Sequence, residues 1–134
     1  MSILSHRAVG GFLSHCGWNS LIEGVVCSSM ILGWPMEADQ YVNAMRLVDH
    51  LGAVVRVCEG SKAMPNSVEL GRKIAEAMSE DSPQKGRAKE LRDKALSAVL
   101  PGGTSSMDLD ALVQELVQLP YLVHWSDRRS KMTS

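Results

Sequence analysis

Aromatic residues make up only 4% of the 134-residue chain, so stacking on bases or sugars can involve very few positions. An excess of one charge is also missing. The net charge is −1, which gives no electrostatic drive toward nucleic acid or anionic membranes. No apolar run approaches the length of a membrane span. The opening MSILSHR lacks the long apolar core of a signal peptide. The cysteines, Cys16, Cys27 and Cys58, are odd in number and widely spaced, with no C-x-x-C. That spacing argues against a disulfide framework and against zinc. A His15/Cys16/Cys27/Cys58 metal site remains a minor alternative, and the expectation is no metal. Free thiols buried in a reducing compartment are the simpler reading, which makes the cytoplasm the expected location.

What is present is ordinary globular material, 45% hydrophobic and 22% charged, in a chain long enough for one domain with a sizeable core. Two apolar runs, Val9–Leu13 and Met30–Leu32, read as buried strands. A third, Ala53–Cys58, is β-branched and follows a glycine. Between them, Leu21, Ile22, Val25 and Val26 share one helical face, and Val42, Met45 and Val48 continue at three-residue spacing. Gly52 is the expected stop after Leu51. Short buried strands alternating with helices predict an α/β fold with about three parallel strands flanked by helices. After Gly60 the pattern turns helical. Asn66 with Glu69 has the form of a capping pair. Ala88, Leu91, Ala95 and Val99 mark a second helix, which stops at Pro101. Leu109, Leu112, Val113, Leu116 and Val117 form a 3.6-residue stripe on a third. Its start resembles a capping box, Ser105 with Asp108. Pro120 should end it, and a polar, basic tail follows over 120–134. The domain portion is thus 1–119, with its helical part at 66–119.

The chemistry concentrates in HCGWNS, residues 15–20. The cluster sits where a strand ends and a helix begins, the place where open α/β sheets bind ligands. A helix N-terminus offers free N–H groups and partial positive charge to an anion such as phosphate. Gly17 lets the backbone approach closely. Asn19 and Ser20 add donors, and His15 offers another. Each residue also has a role needing no ligand. Ser20 with Glu23 makes a capping box, Trp18 a core anchor, and His15 a satisfied buried histidine. The cluster is neither a G-x-G-x-x-G nor a Walker loop, and it is not a G-x-S-x-G elbow.

The longer stretch ILSHRAVGGFLSHCGWNSLIEGVVCSSMILGWPMEADQ, from Ile3 to Gln40, closely resembles the signature of plant secondary-product glycosyltransferases, which use UDP-sugars. It contains the H-x-x-x-G-x-F-x-[ST]-H-C-G-W-N-S-x-x-E core and the terminal W-P-x-x-x-D-Q. The signature motif spans 3–40, and the following helices resemble the C-terminal part of such an enzyme more loosely. The resemblance implies a partial Rossmann-like C-terminal domain of a two-domain, GT-B type enzyme. It implies that His15, Asn19 and Ser20 contact the diphosphate, that Trp18 packs beside sugar and phosphate, and that Glu23 accepts from the ribose hydroxyls. Asp39 and Gln40 would bind hydroxyls of the transferred sugar. By the residues alone, Asp39 can equally cap the helix carrying Val42.

Two departures stand out. The family's upstream tryptophan, proline and glutamine, which hold the uracil, are not in this sequence. The family's Gly-Val-Pro is replaced by Ser28, Ser29 and Met30, which should loosen that turn. The expectation is a fragment or truncated product without the N-terminal acceptor domain, where the family places its catalytic histidine. The implied parent reaction is inverting transfer of glucose from UDP-glucose to a hydroxyl of a small plant metabolite such as a flavonoid or other phenolic. UDP-glucose is then a substrate, and no cofactor is expected. Partners would be the UDP-sugar and, in a full enzyme, a small acceptor. No residue in this chain is expected to be catalytic, and the chain alone is expected to be inactive. The alternative is a non-catalytic module that binds nucleotide weakly or docks with another chain.

Overall fold

The computed structural model describes residues 3–119. Pro120 and the tail expected over 120–134 lie outside the described residues. The chain divides into two compact units, Met1–Ala95 and Leu96–Ser134.

The first unit carries β1 (Gly11–Ser14), α1 (Trp18–Val26), β2 (Met30–Gly33) and α2 (Gln40–Met45), which runs directly into a π-helical turn (Arg46–His50). Then come β3 (Val54–Arg56), α3 (Ser67–Met78) and most of α4 (Pro83–Ala98). The strands form one parallel sheet in the order β1-β2-β3, as the alternation of strands and helices predicts. The helical segments between the strands are the crossovers that parallel pairing requires.

Register sorts the side chains into two faces. Phe12 pairs with Ile31 and Ile31 with Val54, while Leu13 pairs with Leu32 and Leu32 with Val55. The row of Ile31 and Val54 packs with Leu21 of α1, Ala44 of α2 and Cys16, and Phe12 and Leu47 lie against it. The opposite face, with Met30 and Leu32, packs on Ala77 and Leu70 of α3. Successive residues of a strand point to opposite faces, so strands covered on both sides read as continuous apolar runs. Burial of each such side chain contributes about 1.5–3 kcal/mol. At the sheet's edge, Leu13 of β1 is half exposed.

Local differences from the sequence expectations have local causes. Strand β1 begins at Gly11 rather than Val9, because the Val9 N–H is used in a turn to the His6 carbonyl. Helix α1 starts at Trp18 with Gly17 as its N-cap. Ser20 therefore lies inside the first turn, and the Ser20–Glu23 capping box does not form. Gly52 does follow the helical segment, with φ +60. Asn66 caps α3, its side chain accepting from the N–H groups of Val68 and Glu69. A cap of this kind contributes about 1 kcal/mol. The reciprocal half of the pair is replaced, since Glu69 holds Arg72 instead. That bond is the main reason the Glu69 carboxyl lies below the usual carboxylate range. The substituted turn is held in another way. Ser28 takes a left-handed φ of 57, a conformation that favours glycine, and the Ser29 hydroxyl donates to the Leu4 carbonyl at 2.7 Å.

In the second unit, α5 (Thr104–Val117) starts after Gly103, so Ser105 falls within the helix and caps nothing. Its stripe forms in register, but Leu109 and Val117 remain 60% and 64% exposed.

Candidate functional site

At the carboxyl end of β1 the chain turns through His15, Cys16 and Gly17 into α1. Cys16 holds a left-handed φ of 67, which costs a non-glycine residue about 1 kcal/mol. Several bonds fix it there. Its N–H donates to Ser14 Oγ at 3.1 Å, its carbonyl accepts from Asn43 Nδ2 at 3.2 Å, and its side chain is fully buried. Burial pushes the Cys16 thiol upward, opposed by a backbone hydrogen bond from Trp34 and by the charge of Arg56.

The twist at Cys16 sets His15 and the helix start together. A Cβ on Gly17 would lie 2.5 Å from His15 Nε2, so the imidazole sits against Gly17, the N-cap of α1. No side chain caps that turn. Its first intrahelical bond runs from the Leu21 N–H to the Gly17 carbonyl. The N–H groups of Trp18, Asn19 and Ser20 precede that bond and have no intrahelical acceptor. This end of α1 therefore combines amide donors, the positive end of the helix dipole and an imidazole. Glu23 lies half-buried one turn further along. Trp18 is 62% exposed, so it is not a core anchor. It lines an apolar groove of about 250 Å³ with Leu21, Leu47 and Leu91.

The second half of the motif follows β2. The Trp34 N–H reaches the Ser14 carbonyl, and its indole N–H donates to the Gly60 carbonyl at 3.0 Å. The loop then folds over the start of α2. Gln40 Oε1 accepts from the N–H groups of Met36 and Glu37, at 2.9 and 3.1 Å. The Tyr41 hydroxyl donates to the Met36 carbonyl at 2.7 Å. Asp39 stands at the N-cap position of α2, but its carboxylate does not cap. It accepts from Asn43 Nδ2 at 2.8 Å. The expected site residues thus occupy the ends of two adjacent parallel strands, paired at Ser14 and Gly33.

Asn43 is the residue that sequence reasoning missed. It lies beyond the quoted motif, and the only sequence trace of its role is its spacing, one helical turn after Asp39. Among the described residues, no three His, Cys, Asp or Glu side chains gather as metal ligands. None of the three cysteines is in a disulfide. No helix among the described residues is long and apolar enough to cross a membrane.

A parallel α/β layer carrying such a motif at its strand ends defines part of a GT-B glycosyltransferase fold. The family model described as UDP-glucoronosyl and UDP-glucosyl transferase matches residues 1–82. The chain belongs to this family. It is 55% identical to UDP-glycosyltransferase 89A2 of Arabidopsis thaliana over 86% of the chain and 25% of that protein. It is 45% identical to an Arabidopsis thaliana flavonol 3-O-glucosyltransferase over 89% of the chain and 25% of that protein. The crystal structure of Arabidopsis thaliana UGT89C1 complexed with UDP-L-rhamnose superposes with a TM-score of 0.81 at 46% identity, covering 85% of this chain and 28% of that one. The chain spans about a quarter of the length of the curated relatives it matches.

Proposed function

We propose that this chain is the UDP-sugar-binding part of a glycosyltransferase that moves glucose, with inversion, from UDP-glucose to a hydroxyl of a small plant metabolite such as a flavonoid. The observation that supports this most is the imidazole of His15 lying over Gly17 at an uncapped helix start. In this reading the amides of Trp18, Asn19 and Ser20, together with His15 and the Ser20 hydroxyl, hold the diphosphate. Glu23, one turn along, takes the ribose diol. Asp39 and Gln40, at the end of the neighbouring strand, take the hexose.

The chain's contribution to the reaction is stabilisation of the departing diphosphate, where negative charge builds as the glycosidic bond breaks. Amides fixed on a helix need no reorganisation to do this. UDP-glucose is a substrate here, and the reading requires no cofactor. It assigns no catalytic residue to this chain, so the 134-residue protein should bind donor without transferring sugar.

The sugar is the finer part of the proposal. One relative is named a glucosyltransferase, while the superposed crystal structure holds UDP-L-rhamnose. In the family that the signature resembles, glutamine at this position goes with glucose and histidine often with galactose, so Gln40 favours glucose.

Calorimetric titration of the 134-residue chain with UDP tests the core of the proposal. Weak binding is expected, falling roughly ten-fold in His15→Ala through loss of a charge-assisted bond, with a further loss in Glu23→Ala. Affinity equal in the wild type and both variants, or no binding at millimolar UDP, would overturn it.

A further inference from the structure

We infer that Asn43 is a positioning residue for the sugar end of the donor. It sets the orientation of Asp39 relative to the diphosphate-binding turn. The inference rests on the donor-binding reading above and assigns a role outside the signature motif.

The geometry carries it. Asn43 lies in α2, which starts at Gln40. Its amide nitrogen has two hydrogens, and both are used across the site. One goes to Asp39 Oδ2 at 2.8 Å and the other to the Cys16 carbonyl at 3.2 Å. Cys16 is the left-handed residue that delivers the chain into Gly17 and the start of α1. A single side-chain nitrogen therefore bridges the loop that follows β1 and the loop that follows β2.

One backbone bond, from the Trp34 N–H to the Ser14 carbonyl, already joins the two loops where they leave the strands, but further along their restraints are separate. Gln40 and Tyr41 tie residues 36 and 37 back onto the start of α2. Ser14 Oγ holds the Cys16 N–H within its own loop. Neither set fixes the Asp39 carboxylate, which stands at the N-cap position without capping. An unrestrained carboxylate samples several rotamers, and holding it beforehand removes that entropy cost from binding. Asn43 leaves the other carboxylate oxygen of Asp39 for a sugar hydroxyl. Its hydrogen bond to the diphosphate-binding turn is made to the Cys16 carbonyl.

The side-chain type is specific. Both partners are acceptors, so the bridging group must supply two hydrogens from one atom without charge. An amide does this. A carboxylate of the same size would oppose an acceptor to each partner and place two negative charges together. Size and chemistry therefore predict different orders of effect.

The test compares binding of UDP and UDP-glucose to the 134-residue chain, using labelled-protein NMR, for wild type, Asn43→Ala and Asn43→Asp. The readout is the affinity ratio of UDP-glucose to UDP, which isolates the sugar's contribution. The account expects UDP affinity to fall less than UDP-glucose affinity in both variants, because Ser14 Oγ still holds the Cys16 N–H in the diphosphate-binding turn. It expects the ratio to fall roughly five-fold in Asn43→Ala, the effect of one lost bond, and further in Asn43→Asp. In an Asp39→Ala background, Asn43→Ala should leave the ratio unchanged, since coupled residues are not additive. A residue that only fills space would give the reverse order, with the isosteric Asn43→Asp milder than Asn43→Ala, and that result overturns the inference. An unchanged ratio in Asn43→Ala, with wild type favouring UDP-glucose, overturns it while leaving donor binding intact. Failure of the wild type to bind either ligand overturns both.

Discussion

The imidazole of His15 covers Gly17 so closely that the α-hydrogen of glycine is the largest substituent the turn admits without movement. Gly17 itself has φ −64 and ψ 144, extended values that any residue adopts. The glycine is therefore required by its neighbour and not by its backbone.

Gly17→Ala follows directly from this contact. The new methyl displaces the end of the His15 ring, which can swing outward toward solvent, so folding stability should change by less than about 1 kcal/mol. UDP affinity should fall by roughly ten-fold, because the imidazole leaves the helix start. Thermal denaturation and calorimetry on the same sample check the two parts separately. An unchanged affinity would show that the ring position is irrelevant to the ligand.

Gln40 is already committed on one side. Its Oε1 receives two backbone N–H groups from the loop, so what it can present to a sugar is the amide N–H. Gln40→Glu keeps the loop acceptor and removes that donor. We predict that it lowers the UDP-glucose preference over UDP by roughly five-fold while the loop stays folded. Gln40→His alters the loop as well, and should shift preference from UDP-glucose toward UDP-galactose. Relative affinities for the two UDP-sugars, with amide shifts of Met36 and Glu37 reporting the loop, decide this. An unaltered sugar preference in both variants contradicts the role.

Cys16 supplies the pH dependence. Its thiol is raised in the folded state chiefly by burial. The neutral form is favoured on folding, so stability is unaffected below the unfolded thiol's pKa and is lost as pH rises from there through the folded value. Wild type should therefore lose more stability than Cys16→Ala between pH 8 and the alkaline range above about 9. Urea denaturation of the two proteins across that range measures the difference. Parallel profiles would show that the thiol is not held neutral by the fold.

The fold was largely legible because the central strand is buried on both faces and its neighbours are mostly covered. Phe12, Ile31 and Val54 on one side, and Leu32 and Val55 on the other, leave continuous apolar runs in the sequence. The strand-to-helix turn at His15 was legible for the same reason, since it sits at the end of such a run. What did not read correctly were the helix starts. Ser20 and Ser105 look like caps, but the chain enters α1 through Gly17 and α5 through Gly103. In α1 a left-handed Cys16 sets that start, and nothing local in the sequence requires this conformation. Asn43 and the loop contacts of Gln40 were not legible either. Their partners are fixed only when two loops are brought together by the sheet. The stripe on α5 was read from its period, but periodicity does not say what covers it.

Amide-resolved NMR titration of the 134-residue chain with UDP-glucose tests the central claim most directly. The account predicts that the largest shifts fall on the amides of Trp18, Asn19 and Ser20, with a second group at Asp39 and Gln40. UDP alone should move the first group and leave the second nearly still. Shifts centred elsewhere, such as on Lys85 and Lys89 of α4, or an unperturbed spectrum at millimolar ligand, would contradict it.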